Sequence, residues 1–285
     1  MTPINYNELT PELTSSGCFV SDMPNEVYHA LPGISKSGLD KVDISPAHYA
    51  YAEPNKSTRA MEIGTAIHSA VLEPELFKVD YMLLKDVHDR RSSEYKQAVK
   101  ALGSGEKVLT GTEADRVTGM QLSAEGNEQW AAMTSRDHYS ELSALVQCPK
   151  TGVLLRARFD HIGFDGVAVD LKKTQDARYE SFQKSVANYR YHVQDAFYSY
   201  VYELVTGKPL EAFWFLAIEE NAPNTCKLYR LDDEARAIGR RQFMANLEAY
   251  AEADKTGDWV TYDTTAELMS LPAWALDEDD EGVEL

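Results

Sequence analysis

Residues 152–174, Gly-Val-Leu-Leu-Arg-Ala-Arg-Phe-Asp-His-Ile-Gly-Phe-Asp-Gly-Val-Ala-Val-Asp-Leu-Lys-Lys-Thr, restrict the folds open to this chain more than any other stretch. Two runs of alternating polarity, 153–160 and 167–172, flank the turn formers Gly163, Asp165 and Gly166, which is the pattern of a β-hairpin. Apolar residues occupy odd positions (Val153, Leu155, Ala157, Phe159; Val167, Val169, Leu171) and charged residues even ones. Side chains alternate along a strand, so odd-with-odd pairing gives one apolar face and one charged face. That register sets Asp160 beside or opposite Asp170, with Lys172 on the same side.

Two crowded carboxylates repel unless a cation sits between them. Oxygen donors of this kind suit Mg²⁺, with Mn²⁺ as a substitute. A lysine beside such an ion can orient or deprotonate a water, or neutralise charge building on a phosphorane, which is phosphodiester-hydrolysis chemistry. An Asp-x-Lys on a half-exposed strand equally describes a solvated face, so the triplet does not decide by itself. Glu141, on a strand expected over 139–147, can add a third carboxylate, although its spacing does not require it.

Composition narrows the class. At 285 residues, with 44% hydrophobic and 10% aromatic content, the chain has material for a substantial core. Cys18, Cys148 and Cys226 are far apart and form no CxxC pair, which argues against a disulfide framework or zinc ribbon and suits a reducing cytoplasm. No signal sequence or membrane-length apolar run is present, so the expected setting is the cytoplasm of a bacterial host cell. The net charge of −18 looks wrong for a nucleic-acid enzyme. Its distribution matters more: residues 277–285 hold six acids and no base, whereas seven Lys and Arg fall between Arg156 and Arg190. An acidic exterior around a basic cleft focuses a polyanion, with Arg158 among the substrate-contacting cations.

Residues 1–33, rich in turn formers, read as an irregular arm, residues 34–276 as one domain, and residues 277–285 as a disordered acidic tail. Helices are expected over 35–42, 46–52, 58–72, 91–102, 112–133, 176–187, 189–206 and 233–253, and further strands over 107–109, 211–218 and 226–231; residues 268–276 are expected to dock on the domain. The class is α/β: a central mixed sheet of about five strands flanked by helices, with a helical N-terminal section as one wall of the site. Gly64 and His68 share a helix face, and an interior glycine marks close approach by backbone or ligand. In the helix over 189–206, Val193, Phe197, Val201 and Leu204 form a core stripe; Tyr191, Gln194 and Tyr198 form a polar-aromatic ridge able to bond phosphate. No GxGxxG or GxxxxGK[ST] string occurs.

Three strings, Met61-Glu-Ile-Gly-Thr-Ala-Ile-His-Ser-Ala-Val-Leu-Glu-Pro74, Val169-Asp-Leu-Lys-Lys-Thr174 and Tyr189-Arg-Tyr-His-Val-Gln-Asp-Ala-Phe-Tyr198, with a fainter Leu271-Pro-Ala-Trp274, resemble the RecE (exonuclease VIII) C-terminal nuclease family. This is the RecB-like branch of the PD-(D/E)xK superfamily, whose core is restriction-endonuclease-like. The likeness runs from about Ile34 to Trp274. It implies that Asp160, Asp170 and His68 serve the metal, that Lys172 positions or activates water, and that Gln194 and Tyr198, with Tyr191 and Arg158 nearby, hold the DNA strand.

The resemblance further implies 5′-to-3′ digestion of linear double-stranded DNA in a phage or prophage recombination system. The products are 3′ overhangs for a RecT-type annealing partner, and the assembly is a homo-oligomeric ring of four subunits, or of three. The chain departs from the family at Phe159, which replaces the proline that names the superfamily, and at Lys173, an added lysine on the opposite side of the strand. Two alternatives stand beside this one. A different nuclease of the same fold, an endonuclease or a Cas4-like enzyme, is one, although a Cas4-like cysteine quartet is missing. A catalytically inactive DNA-binding module is the other.

Overall fold

The computed structural model describes residues 2–53 and 57–271. The expected acidic tail and Pro272–Trp274 of the fourth string lie outside the described residues. The chain opens with β1 (Ile4–Asn5), α1 (Pro11–Ser16), β2 (Cys18–Ser21) and α2 (Asn25–Ala30). α3 (Lys36–Ile44), α4 (Pro46–Ala50) and α5 (Arg59–Leu72) follow. Ser45 caps α4 ahead of Pro46, and Thr58 caps α5 by accepting from Met61 N–H. Next come α6 (Pro74–Asp80), β3 (Met82–Leu84), α7 (Ser93–Leu102) and β4 (Val108–Thr110), β3 and β4 pairing in parallel as a separate small sheet. The remainder is α8 (Gly111–Glu125), α9 (Glu128–Thr134), β5 (His138–Gln147), β6 (Leu154–Gly163), β7 (Val167–Thr174), α10 (Tyr179–Asn188), α11 (Tyr191–Thr206), β8 (Ala212–Glu219), β9 (Cys226–Arg230) and α12 (Asp233–Thr256).

The central sheet has seven strands, ordered β1-β2-β5-β6-β7-β8-β9. Its β1–β2 and β7–β8 pairs are parallel and the others antiparallel, so the sheet is mixed, as expected. The two strands beyond the expected five come from the N-terminal segment, which is not an irregular arm. Cys18–Val20 pair with Ser143–Leu145 because Cys18 and Val20 have a small core of their own to enter, with Met23, Tyr28 and Leu145. The helix expected over 112–133 breaks at Gly126-Asn127, where Asn127 turns its side chain to accept from Trp130 N–H and starts α9. Leu268 and Met269 are fully exposed, so the docking expected over 268–276 is not seen in its described part.

Helices cover both sheet faces. Phe159, Phe213, Phe215 and Ala168 pack with Val193 and Phe197 of α11 and Phe243 and Leu247 of α12. Val169, Leu171, Leu216 and Ile218 pack on the other face with Ile67 and Val71 of α5 and Val117 and Met120 of α8. β8 is therefore buried on both sides, as its unbroken apolar run requires. The hairpin register is odd with odd, His161 opposite Val169 and Ile162 opposite Ala168. The expected single apolar face does not result, because Phe159 enters one core while Val169 and Leu171 enter the other. The cause is a kink that β5 and β6 share: Glu141 has φ +50°, and the ladder passes from Leu142–Phe159 to Ser140–His161, skipping Glu141 and Asp160.

The α11–α12 crossing is close. A Cβ at Gly239 would stand 2.0 Å from the carbonyl oxygen of His192, which is helix backbone that cannot yield cheaply. Gly239→Ala is expected to destabilise the fold by about 1–3 kcal/mol or more. Chemical denaturation checks this, and an unchanged midpoint would show that the two helices are free to separate.

Candidate active site

The kink and the end of the hairpin ladder coincide. β7 pairs with β6 only through Val169 and Ala168, and from Asp170 to Thr174 it is paired with β8 alone. In the gap, Asp160 Oδ2 accepts the Leu171 N–H at 2.8 Å, a side chain standing in for the missing strand. Asp160 therefore lies at a fork in the sheet, where groups from both faces reach it.

From the α5 side, His68 Nδ1 approaches to 3.4 Å of Asp160 Oδ2 and 4.0 Å of a Glu141 oxygen. Ligand atoms of His68, Glu141 and Asp160 all lie within 4.8 Å of one another, a set able to hold a divalent ion. Two oxygens and one imidazole suit Mg²⁺ or Mn²⁺. Burial, then Asp160, push the Glu141 carboxyl up to about 8. Burial and the nearby Asp170 push Asp160 up to about 6, against the pull of His68 and Lys172. A cation between these groups would relieve both. At the glycine one turn before His68, a Cβ on Gly64 would meet nothing within 4 Å, so no neighbouring backbone demands it.

Asp170 stands outside that compact set. It faces α11, where the Gln194 amide donates to its Oδ1. Its Oδ2 is ion-paired with Lys172 Nζ at 2.7 Å. Lys172 Nζ also donates to Gln194 Oε1 at 2.9 Å and sits 4.5 Å from the centre of the Tyr191 ring. Burial works against its charge, but Asp170 and Tyr191 hold its pKa above the ordinary lysine value.

The other expected site residues, Arg158, Tyr191, Gln194 and Tyr198, line one cleft with Asp160 and Lys172. Gln194 is 7% exposed, its amide donates to Asp170 and accepts from Lys172, and Tyr191 supports Lys172, so both organise the lysine. Tyr198 packs edge-on against Phe159 and Phe213 and still lines the cleft. Arg158 spends its guanidinium on Ser143, Asn25 and the Met23 carbonyl, and stacks on Tyr28 at 4.3 Å. Its neighbour Arg156 bonds the Tyr28 carbonyl, Arg178 pairs with Asp176, Arg190 with Asp40 and Asp43, and Lys173 with Glu220. Of the cations expected to make the cleft basic, Lys173, Arg178 and Arg190 are ion-paired, whereas Arg156 and Arg158 bond neutral acceptors and keep their charge. A cleft of about 710 Å³ remains, running from Asp160 and Lys172 between Tyr28 and His29 on one side and Lys36, Tyr189 and Arg190 on the other.

The chain's resemblances agree with this geometry. A family described as "PDDEXK-like domain of unknown function (DUF3799)" matches residues 35–272. The crystal structure of a protein called "Putative exonuclease" from Eubacterium rectale superposes with a TM-score of 0.58 at 14% identity, covering 90% of this chain and 98% of that one, a likeness of fold. The structure of SSO0001 aligns at a TM-score of only 0.27 and 11% identity, over 74% of this chain and 84% of its own, and carries no argument. No curated protein matches the sequence. No helix among the described residues is long and apolar enough to cross a membrane.

Glu141 and Asp160 both hold a proton more tightly folded than unfolded. Their contribution to stability is complete below the ordinary carboxylate range and is lost as pH rises through about 6 and then about 8. A divalent cation binds the ionised forms and restores what is lost. Mn²⁺ or Mg²⁺ is therefore expected to raise the melting temperature, relative to EDTA, far more at a pH of about 8.5 than at about 5.5. Differential scanning fluorimetry decides it, and equal shifts at the two pH values would contradict the site.

Proposed function

The chain belongs to this PDDEXK-like family, and from that premise we propose that it is a Mg²⁺-dependent nuclease acting on the ends of linear double-stranded DNA. The observation that carries the reading is the interlock of Asp170, Lys172 and Gln194 beside the His68, Glu141 and Asp160 cluster. A divalent cation held by that cluster with Asp170 beside it supplies Lewis-acid polarisation of a phosphodiester oxygen. Lys172, kept protonated by Asp170 and Tyr191, is suited to donate hydrogen bonds and stabilise charge on the phosphoryl oxygens; it is a poor general base. Gln194 fixes the position of that ammonium, and His68 holds Asp160 on the side away from α11.

The finer assignment, a RecE-type exonuclease working 5′ to 3′ and leaving 3′ overhangs for a RecT-type annealing protein, rests on the order and spacing of the GxxxH, DxK and QxxxY strings. A ring of subunits would give such an enzyme processivity, since a closed ring does not readily release its duplex. An inactive module of the same fold is the weaker reading, because burying the Asp170–Lys172 pair costs desolvation that a dead site has no reason to bear.

Linear duplex labelled separately at its 5′ and 3′ ends, beside covalently closed circles, is the test. The wild type with Mg²⁺ is expected to release label from the 5′ end and spare the circles. Asp170→Ala is expected to lose at least about 10²–10³-fold in rate while remaining folded. Digestion by this variant at the wild-type rate would refute the assignment.

A further inference from the structure

The outer wall of the cleft is rigid, charge-neutral and aromatic. Lys36 Nζ donates to the Tyr189 carbonyl at 2.7 Å and pairs with Asp40 at 2.7 Å. On the other side of Tyr189, Arg190 adopts φ +54° and pairs with Asp40 at 3.3 Å and Asp43 at 2.8 Å. The corner between α10 and α11 is thus fastened to α3 at two successive residues. The four charges cancel, so this part of the wall offers phosphate no free cation.

What it does offer is a ring. Tyr189 is 63% exposed and stacks on Tyr191 at 5.7 Å between centroids, with the planes 25° apart. Tyr191 in turn stacks on Phe215 at 5.5 Å and carries the ammonium of Lys172. One face of Tyr189 is covered by Tyr191, so its exposed area is the opposite face and the edge. The same two tyrosines separate the main cleft from a second of about 310 Å³, bounded beyond them by Lys173, Gln175, Ser181 and Ser185. An aromatic face held in place one ring from the catalytic ammonium has the right size and rigidity for a base, and every base has a π-face, so such a contact tolerates any sequence.

We propose that Tyr189 is a stacking platform for an unpaired nucleobase of the strand whose phosphodiester lies at Lys172. This rests on the nuclease reading and adds to it a single-stranded segment, at least one nucleotide long, at the active site. Tyr189 makes its contribution by orienting substrate, so its loss should appear in KM and binding more than in kcat.

The experiment uses the full chain and a single-stranded oligonucleotide carrying 2-aminopurine, whose fluorescence is quenched by stacking. Binding is followed with Ca²⁺ in place of Mg²⁺, and steady-state cleavage with Mg²⁺. Wild type, Tyr189→Phe and Tyr189→Trp are expected to quench the probe. Tyr189→Ala and Tyr189→Leu should not quench it, and should bind on the order of 10-fold more weakly, with KM raised to match and kcat little changed. Because the side chain is exposed, both variants should melt with the wild type, and leucine separates stacking from mere apolar bulk. Quenching by the leucine variant equal to wild type, in an enzyme that cleaves normally, overturns the platform and leaves the nuclease intact. A wild type that neither binds nor cleaves the oligonucleotide or duplex DNA overturns both.

Discussion

One hydrogen bond, from the Leu171 amide to the Asp160 carboxylate, organises the functional half of this fold. In an uninterrupted antiparallel ladder that amide would be satisfied by strand backbone. Here the ladder stops at Val169, and a side chain completes the accounting for a donor that burial would otherwise penalise. The gap it bridges groups Asp160 with Glu141 and sets it near Asp170, although Phe159 and Val169 enter different cores there. Because a buried carboxylate accepts this bond best when ionised, the same contact opposes the protonation that burial favours. Structure and chemistry share one group.

The second organising element is α11, which reaches the sheet from the opposite face. Its Val193 and Phe197 are core, and that packing fixes the height at which Gln194 presents an amide to both Asp170 and Lys172. An amide carries a donor and an acceptor, so one residue satisfies an anion and a cation at once and holds them in a set orientation. Tyr191, stacked on Phe215 beneath the ammonium, continues this support outward from the lysine. The N-terminal segment closes the other side, its Tyr28 under Arg156 and Arg158.

What could be read in advance followed the range of the interaction involved. The start of α4 at Pro46, the buried run of β8 and the odd-with-odd hairpin register are all set by residues close in sequence, and each was legible. The N-terminal strands were not, because β2 is held by pairing with β5 more than a hundred residues away. Glu141 was legible only as one acid among many: a strand period assigns it to a face, whereas its place in the cluster depends on a positive φ that no residue type announces. The basic stretch from Arg156 to Arg190 was legible only as a count of charges: Lys173 and Arg190 meet carboxylates that tertiary structure supplies and Arg178 meets its neighbour Asp176, whereas Arg156 and Arg158 meet neutral acceptors.

That pairing of cations constrains how a polyanion can enter. Around the fork stand Glu141, Asp160 and Asp170 against Lys172, while Arg158 is committed to the N-terminal segment and Lys36 and Arg190 to the aspartates of α3. With its carboxylates ionised, the fork carries three negative charges against Lys172 and the nearby Arg158, whose hydrogen-bond partners are all neutral. On the nuclease reading, a divalent cation held by Glu141 and Asp160 would offset the negative charge beside Lys172, while the raised proton affinity of the two carboxyls is first the cost of burying their charge and only then their mutual repulsion and that of Asp170.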